Sequence, residues 1–258
     1  RGKDLPNSPI ANCNIILTND RKIYENNTSN LVWQEGNALP GSLTIWQQNE
    51  VITSGHIYDL FKNAFGYVSY DGADISMRTI NNNPNISCPN ATWNGVTANY
   101  CDGTASDDVI AHEWGHAYTQ FTSNLIYAYQ PGAINESYSD IWGETVDILN
   151  NYQDAGENLA IRTDASCNNT QRWKIGEDAT AFGGAIRDMW NPTCNGDPGK
   201  VSDAQYLCGS SDNGGVHVNS GIPNHAYALL VDGGVYNNYT INSLGFVKAA
   251  HIFWRAQS

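Results

Sequence analysis

Hydrophobic positions along the chain fall into two regimes. Over the first hundred residues they come as short apolar runs broken by Asn, Gly and Thr. Ile10 to Thr18, Asn30 to Gln34 and Ser42 to Trp46 have the length and composition of strands. Trp93-Asn94-Gly95-Val96 carries the Asn-Gly pair that closes a tight hairpin. One helix interrupts this half: from Val51 to Phe65, Ile52, Ile57, Leu60, Phe61 and Phe65 recur near helical period.

After Gly103 the period changes. Asp107 to Phe121 reads as a helix, and Asn135 to Asn150 as another, with Ile141, Trp142, Thr145, Val146 and Leu149 one turn apart. Residues 151 to 215 are loop-rich. A third helix is predicted from Val218 to Val231 and a fourth from Ile241 to the last residues. Sheet first and helices later implies an α+β protein of two lobes. The 258 residues suffice for one large domain or two such lobes.

Charge narrows the partners. Thirteen Lys and Arg against twenty-six Asp and Glu leave a net charge of −13, which repels phosphate backbones and argues against nucleic acid. No run of 18 apolar residues exists to span a membrane. Six cysteines without a Cys-x-x-Cys pair imply disulfides and an oxidising, extracellular setting. The local pairs Cys88–Cys101 and Cys194–Cys208 are expected, leaving Cys13–Cys167. Asn-x-Ser/Thr sequons at Asn26, Asn27, Asn85, Asn90, Asn135, Asn168 and Asn238 fit a secreted protein.

The chemistry starts at His112-Glu113-Trp114-Gly115-His116. Residues four apart share a helix face, so both imidazoles can reach one metal, with Glu113 beside them to take a proton from water. A catalytic zinc needs a third protein ligand and an open corner. Thr119 and Thr122 stand where metzincins place a Gly and a third His, which excludes that class. Glu136 and Asp140 follow, one turn apart, as a ligand carboxylate and a carboxylate that orients a ligand histidine. Downstream, Asp212 precedes His217 across a Gly-Gly loop, near enough to hold the ring cationic and ready for an oxyanion. His56, His225 and His251 are expected to be structural.

Four blocks carry a resemblance: His112-Glu113-Trp114-Gly115-His116, Leu125-Ile126-Tyr127, Gly132-Ala133-Ile134-Asn135-Glu136 and Asp212-Asn213-Gly214-Gly215-Val216-His217. In order and spacing the chain resembles the thermolysin family of zinc neutral metallopeptidases. That resemblance implies a mainly β N-terminal lobe over residues 1–121 and a mainly α lobe over 122–258, with the active-site helix at the cleft between them. It implies one catalytic zinc on His112, His116 and Glu136, with Glu113 as base, and Asn135 and Asp140 supporting the ligand histidines. Tyr127 and His217 would meet the oxyanion, with Asp212 orienting His217. Asn90, Ala91 and Arg187 would bind the substrate backbone, and Val109 and Ile186 would line an apolar pocket just past the scissile bond. Asn90 is therefore expected to carry no glycan.

The implied calcium sites are thinner. Asp108, Glu144, Asp147 and Glu177 match acidic ligands, but Arg172 and Lys174 replace others, so at most one structural calcium is expected. The loop from Ala179 to Ala185 is short, and residues 154–169 look inserted. The family continues past the Ala250–Ala256 motif, so the helical lobe is expected to be completed by a separate fragment, and the enzyme to derive from a precursor with a cleaved pro-segment. The substrates would be proteins or peptides. Two rivals are a zinc-binding scaffold without activity, which should lack Glu113, Tyr127 or His217, and a neprilysin-like peptidase or aminopeptidase, which should lack the Asp212–His217 block.

Overall fold

A computed structural model describes residues 20–150, 152, 156–167 and 170–258. The predicted strand at Ile10 to Thr18 and Cys13 lie outside these residues.

The first half is a mixed five-stranded sheet packed on one helix. Strands β1 (Arg21–Glu25), β2 (Leu31–Gln34), β3 (Met77–Asn81), β4 (Ala91–Trp93) and β5 (Ala98–Tyr100) stand in the order β2-β1-β3-β5-β4. β1 and β5 both run parallel to β3, whereas β2 and β4 are antiparallel edges. The Asn-Gly hairpin joins β4 to β5, as its sequence implies. The Ser42–Trp46 run is not a strand: helix α1 (Ile45–Leu60) begins inside it. Thr44 caps that helix, its hydroxyl accepting from Gln47 N (3.2 Å) while the Gln47 side chain accepts from Thr44 N (3.0 Å). A wider turn, Phe61–Phe65, carries the helix on until Gly66 stops it.

The second half is helical. Helices α2 (Asp107–Phe121) and α3 (Tyr129–Asn150) lie at its centre. α3 starts six residues before the predicted Asn135, because Pro131 sits in the first turn, where its missing N–H costs nothing. A short turn-helix α4 (Asp212–Asn219) leads into α5 (Gly221–Asp232), so the helix predicted from Val218 is two segments meeting at Ser220. The fourth predicted helix loses its beginning: β8 (Gly234–Tyr236) pairs with β9 (Tyr239–Ile241), and α6 (Gly245–Gln257) follows. The small pair β6 (Lys174–Ile175) and β7 (Arg187–Asp188) lies in the loop-rich stretch.

One large core joins the halves. Ile110, Ala111, Trp114, Ala117 and Tyr118 of α2 are fully buried together with Ile141 and Trp142 of α3, Phe61 and Tyr100. Phe61 stacks on Tyr118 at 3.6 Å between ring centroids. α6 is tied to both central helices through Gln257, which accepts from Trp142 Nε1 (2.7 Å) and donates to Thr119 Oγ1 (2.9 Å). A second, smaller cluster of Ile23, Trp33 and Val51 holds β1 and β2 to α1. Among the described residues no helix is long and apolar enough to cross a membrane.

The disulfides differ from the expected set. Cys88–Cys101 forms, but Cys194 bonds Cys167, not Cys208. The reason is non-local packing: the segment around Arg162 folds onto β7 and the residues after it. Arg162 Nη1 bonds both oxygens of Asp188 (2.8 Å each), Trp190 Nε1 donates to Asp164 O (2.9 Å), and Asn191 Nδ2 donates to Ala165 O (2.7 Å). Cys167 and Cys194 are thereby brought to a Cα separation of 5.5 Å.

Candidate active site

The site is built on the α2–α3 contact. Two glycines set how closely the helices approach. A Cβ on Gly115 would stand 2.7 Å from Ser139 Cα, and one on Gly143 would stand 2.7 Å from Asp108 O, so only glycine permits the contact at both crossings. This approach brings Glu136 of α3 under the two histidines of α2.

Three donor atoms converge there. His112 Nε2 and His116 Nε2 are 3.1 Å apart, His112 Nε2 lies 3.5 Å from Glu136 Oε2, and His116 Nε2 lies 3.3 Å from Glu136 Oε1. The edges of a tetrahedron with bonds of about 2.0–2.1 Å measure about 3.3 Å, so the three atoms have the spacing a zinc ion asks for. Each ring's Nδ1–H is engaged: His112 donates to Asp140 Oδ1 (2.8 Å), and His116 to Asn135 Oδ1 (2.7 Å), whose amide is oriented by its own donation to Leu125 O (3.3 Å). Both Nε2 atoms therefore face inward, where a proton on His116 or a bound cation can lie between them. Glu136 Oε2 is buried without a hydrogen bond among the described residues. Orphaned carboxylate and inward lone pairs together fit a divalent cation held by His112, His116 and Glu136.

The electrostatics agree. Burial alone would neutralise Glu136, but His116, His217 and His112 outweigh it and hold the carboxyl well below its ordinary range. Burial likewise opposes charge on His116, yet Glu136 outweighs it and lifts the ring to about 9. Asp140 is fully buried and still held at about 2, because Arg187 and His112 overcome the desolvation. Arg187 grips it bidentately (Nη2–Oδ1 2.6 Å, Nε–Oδ2 2.8 Å), and Asn224 of α5 adds a fourth donor (Nδ2–Oδ2 2.7 Å). Sequence reasoning missed Asn224: it lies 84 residues from Asp140, and no local spacing links them.

Glu113 points into a cleft of about 910 Å³ with the two histidines, Glu136, Tyr127 and His217. Burial raises its carboxyl despite the neighbouring rings. Tyr127 donates its hydroxyl to Glu136 Oε1 and lies 3.2 Å from His217 Nε2. Asp212 orients His217, accepting from the ring Nδ1 (2.6 Å) and from the His217 backbone N–H (2.8 Å). That loop-back needs four successive residues in the left-handed region, Asp212 to Gly215, which the Asn-Gly-Gly sequence makes accessible.

The opposite wall is β4 with its flanks, Asn90 to Gly95, together with Gln120, Phe121, Leu125 and Ile126. Asn90 and Ala91 thus lie on the cleft. Val109, Ile186 and Arg187 stand outside this wall: Val109 is 4% exposed, Ile186 is 38% exposed, and Arg187 is committed to Asp140.

A second acidic group lies farther along α3. Carboxylate oxygens of Asp108, Glu144 and Glu177 fall within 4.8 Å of one another. Asp108 accepts from Ser106 Oγ (2.5 Å) and from the Gly176 backbone N–H. Neither oxygen of Glu144, nor Oε2 of Glu177, has a well-formed hydrogen bond among the described residues. Burial and mutual repulsion push Glu144, Glu177 and Asp147 well above the carboxylate range. Asp147 lies outside the converging trio, with Asp107 its strongest charged neighbour. Arg172 is turned to Asp232 (2.6 and 2.7 Å), and Lys174 to Gln171 (3.1 Å).

Fold and site together describe a helix-borne His-His-Glu metal centre with a buried carboxylate beside it and two ring donors across a cleft. Comparison with known proteins agrees. A family model described as thermolysin metallopeptidase, catalytic domain, matches residues 12–120, and one described as thermolysin metallopeptidase, alpha-helical domain, matches residues 123–258. The chain belongs to the thermolysin metallopeptidase family. Similar curated proteins include the thermostable neutral protease NprT of Geobacillus stearothermophilus, 36% identical over 242 residues, covering 84% of this chain and 40% of that protein. Bacillolysin of Bacillus caldolyticus is also 36% identical over 242 residues, with 84% and 41% covered. Among solved structures, the precursor of protealysin, a metalloproteinase from Serratia proteamaculans, superposes with a TM-score of 0.64 at 27% identity, covering 82% of this chain and 68% of that one. The chain spans about two fifths of the length of the curated relatives it matches.

Proposed function

We propose that this chain is the catalytic part of a secreted, zinc-dependent metalloendopeptidase that hydrolyses internal peptide bonds of proteins. The observation that carries the reading is the convergence of His112, His116 and Glu136 at zinc-ligand spacing, with Glu113, Tyr127 and His217 on the same cleft. A bound zinc supplies Lewis acidity and lowers the pKa of water to about 7. Glu113 accepts a proton from the attacking water and returns it to the departing amine. Tyr127 and His217 donate to the oxygen that becomes negative as the carbonyl carbon turns tetrahedral, and Asp212 keeps the His217 ring aimed. The outward backbone of β4 at Ala91 would take the substrate as an added strand, with Asn90 at the entry to that strand. By family order alone, since none of the three lines the cleft, Val109 and Ile186 would favour a bulky apolar residue just after the scissile bond, with Arg187 near a substrate carbonyl.

Several coarser features belong to the same reading. The two lobes would divide at residues 121 and 122, a reading supported by the end of α2 at Phe121. Asp108, Glu144 and Glu177 would hold at most one structural calcium, with Asp147 beside them. A cleaved pro-segment is supported by the likeness to a protealysin precursor.

The test is cleavage of an N-terminally blocked peptide library at internal bonds, abolished by a zinc chelator and restored by zinc. Glu113→Gln keeps zinc and nearly abolishes turnover. His217→Ala keeps zinc and lowers kcat by about 10²–10³. A Glu113→Gln protein with normal turnover would refute the base assignment, and cleavage confined to free N-termini would favour an aminopeptidase.

A further inference from the structure

β4 is a strand of three residues at the edge of the sheet, paired with β5 alone among the described residues. A strand so short, bonded on one side, is marginal by itself. It nonetheless lines the cleft together with His112 and Glu113. Cys101 N donates to Asn90 O (3.0 Å) and Asn94 N to Thr97 O (3.2 Å). By antiparallel alternation, the backbones of residues 90, 92 and 94 then face β5, and those of Ala91 and Trp93 face the cleft.

The two ends of β4 are secured differently. At the hairpin end, Asn94 Oδ1 accepts from Val96 N (3.0 Å) and Thr97 N (2.9 Å), a turn that closes itself. In the middle, Asn99 Nδ2 donates to Thr92 O (3.0 Å). At the other end no hairpin exists. The chain enters from residues 82–89 and is joined to the body by Thr104 Oγ1 on Asn90 O (3.2 Å), by Cys101 N, and by the Cys88–Cys101 disulfide. Cys101 is 1% exposed and leads within five residues to Ser106, which opens the helix bearing His112. The covalent link therefore ties the open end of the substrate wall to the segment that feeds the metal-binding helix.

We infer that the Cys88–Cys101 disulfide is a positioning element for the substrate-binding edge strand. Its loss loosens the wall against which a peptide backbone docks, and leaves the metal ligands and Glu113 in place. The inference rests on the endopeptidase reading for its kinetic consequence, and on geometry alone for its effect on the strand.

The test compares the zinc-loaded protein with Cys88→Ala and with Cys88→Ala/Cys101→Ala. An Ile23→Ala variant in the separate β1 cluster lowers stability elsewhere in the same sheet and serves as control. For a blocked peptide cleaved internally, KM rises about tenfold in the disulfide variants with kcat within about twofold. Amides of residues 88–101 exchange with deuterium at least about tenfold faster, while those of α2 do not. The control loses thermal stability with KM and β4 exchange unchanged. Should the variants not fold, reduction of the folded parent by a dithiol supplies the open form: its two thiols become a disulfide as Cys88 and Cys101 become thiols, which iodoacetamide then traps. Unchanged KM and exchange, or a fall in kcat with loss of zinc, overturns the inference. A parent protein that cleaves no peptide refutes the endopeptidase reading, and the exchange rates still decide the role of the disulfide.

Discussion

Helix α3 presents acids at 136, 140, 144 and 147, all buried, and its two halves treat them in opposite ways. Glu136 and Asp140 lie among histidines, Arg187 and Asn224, and both are held below the ordinary carboxylate range. Glu144 and Asp147, one and two turns on, meet other carboxylates and are pushed well above it. The spacing is near one helical turn in both halves, four residues in one and three in the other; the facing side chains differ. The N-terminal half carries its counter-charges in the chain and forms a rigid frame for the metal site. Among the described residues the C-terminal half has only Arg172 as a weak counter-charge, and that side chain is turned to Asp232, so a calcium ion would be a natural complement to Asp108, Glu144 and Glu177.

Removing a charge from the partnered half should have the largest effect. Asp140→Asn leaves Arg187 buried without its carboxylate and releases the His112 ring from a charged acceptor. The expected loss is about 3–5 kcal/mol of stability and about 10- to 100-fold in zinc affinity. Denaturant unfolding and competition with a chromophoric chelator measure the two. A stability loss below about 1 kcal/mol would mean that the frame is not electrostatic. Because Asp140 sits at about 2 in the fold, its contribution is present above the unfolded value of 3.8 and is lost as pH falls through about 2.

In the unpartnered half the sign should depend on the solution. Glu144→Gln in the presence of a calcium chelator removes a repelling acid and stabilises by about 1–2 kcal/mol. With millimolar calcium the same change removes a ligand and destabilises. Thermal unfolding of parent and variant, with and without calcium, gives four midpoints whose crossing is the prediction. If calcium shifts the parent's midpoint no more than the variant's, the trio is a buried acidic patch and not a cation site.

How much of this was legible in the sequence follows from the range of the interactions. α2 matches its expected bounds to the residue, because helical period is a local signal. The start of α1 was missed although Thr44 and Gln47 spell a capping box, since the apolar run Leu43 to Trp46 also suits a strand. His112, His116 and Glu136 were legible because helix spacing and family order place them. Asn224 and the Cys167–Cys194 bond were not, because each depends on segments that meet only after the lobes pack. The same holds for Glu144: its lack of counter-charge is visible only once Arg172 is seen to turn toward Asp232.

A third kind of acid sharpens the contrast at the smallest scale. Glu50 of α1 is fully buried, accepts from Asn81 Nδ2 (2.7 Å) at one oxygen, and has no hydrogen bond among the described residues at the other. Among the described residues it has neither a cationic partner of the Asp140 kind nor the converging acids that invite a metal. Burial raises its pKa well above 4.5, with Glu25 adding to the effect and Asn81 opposing it. The native state thus binds this proton more tightly than the unfolded chain does. Stability from this group is full below the unfolded value, and falls as pH rises from there through the folded pKa. Glu50→Gln keeps the shape and an acceptor for Asn81 and removes the titration. The variant should match the parent near pH 4 and exceed it by about 1 kcal/mol at pH 7.5, read as a shift in the midpoint of urea unfolding. A variant less stable than the parent at pH 7.5 would mean that an ionised Glu50 is compensated inside the fold, and that burial without a counter-charge is not what separates the two halves of α3.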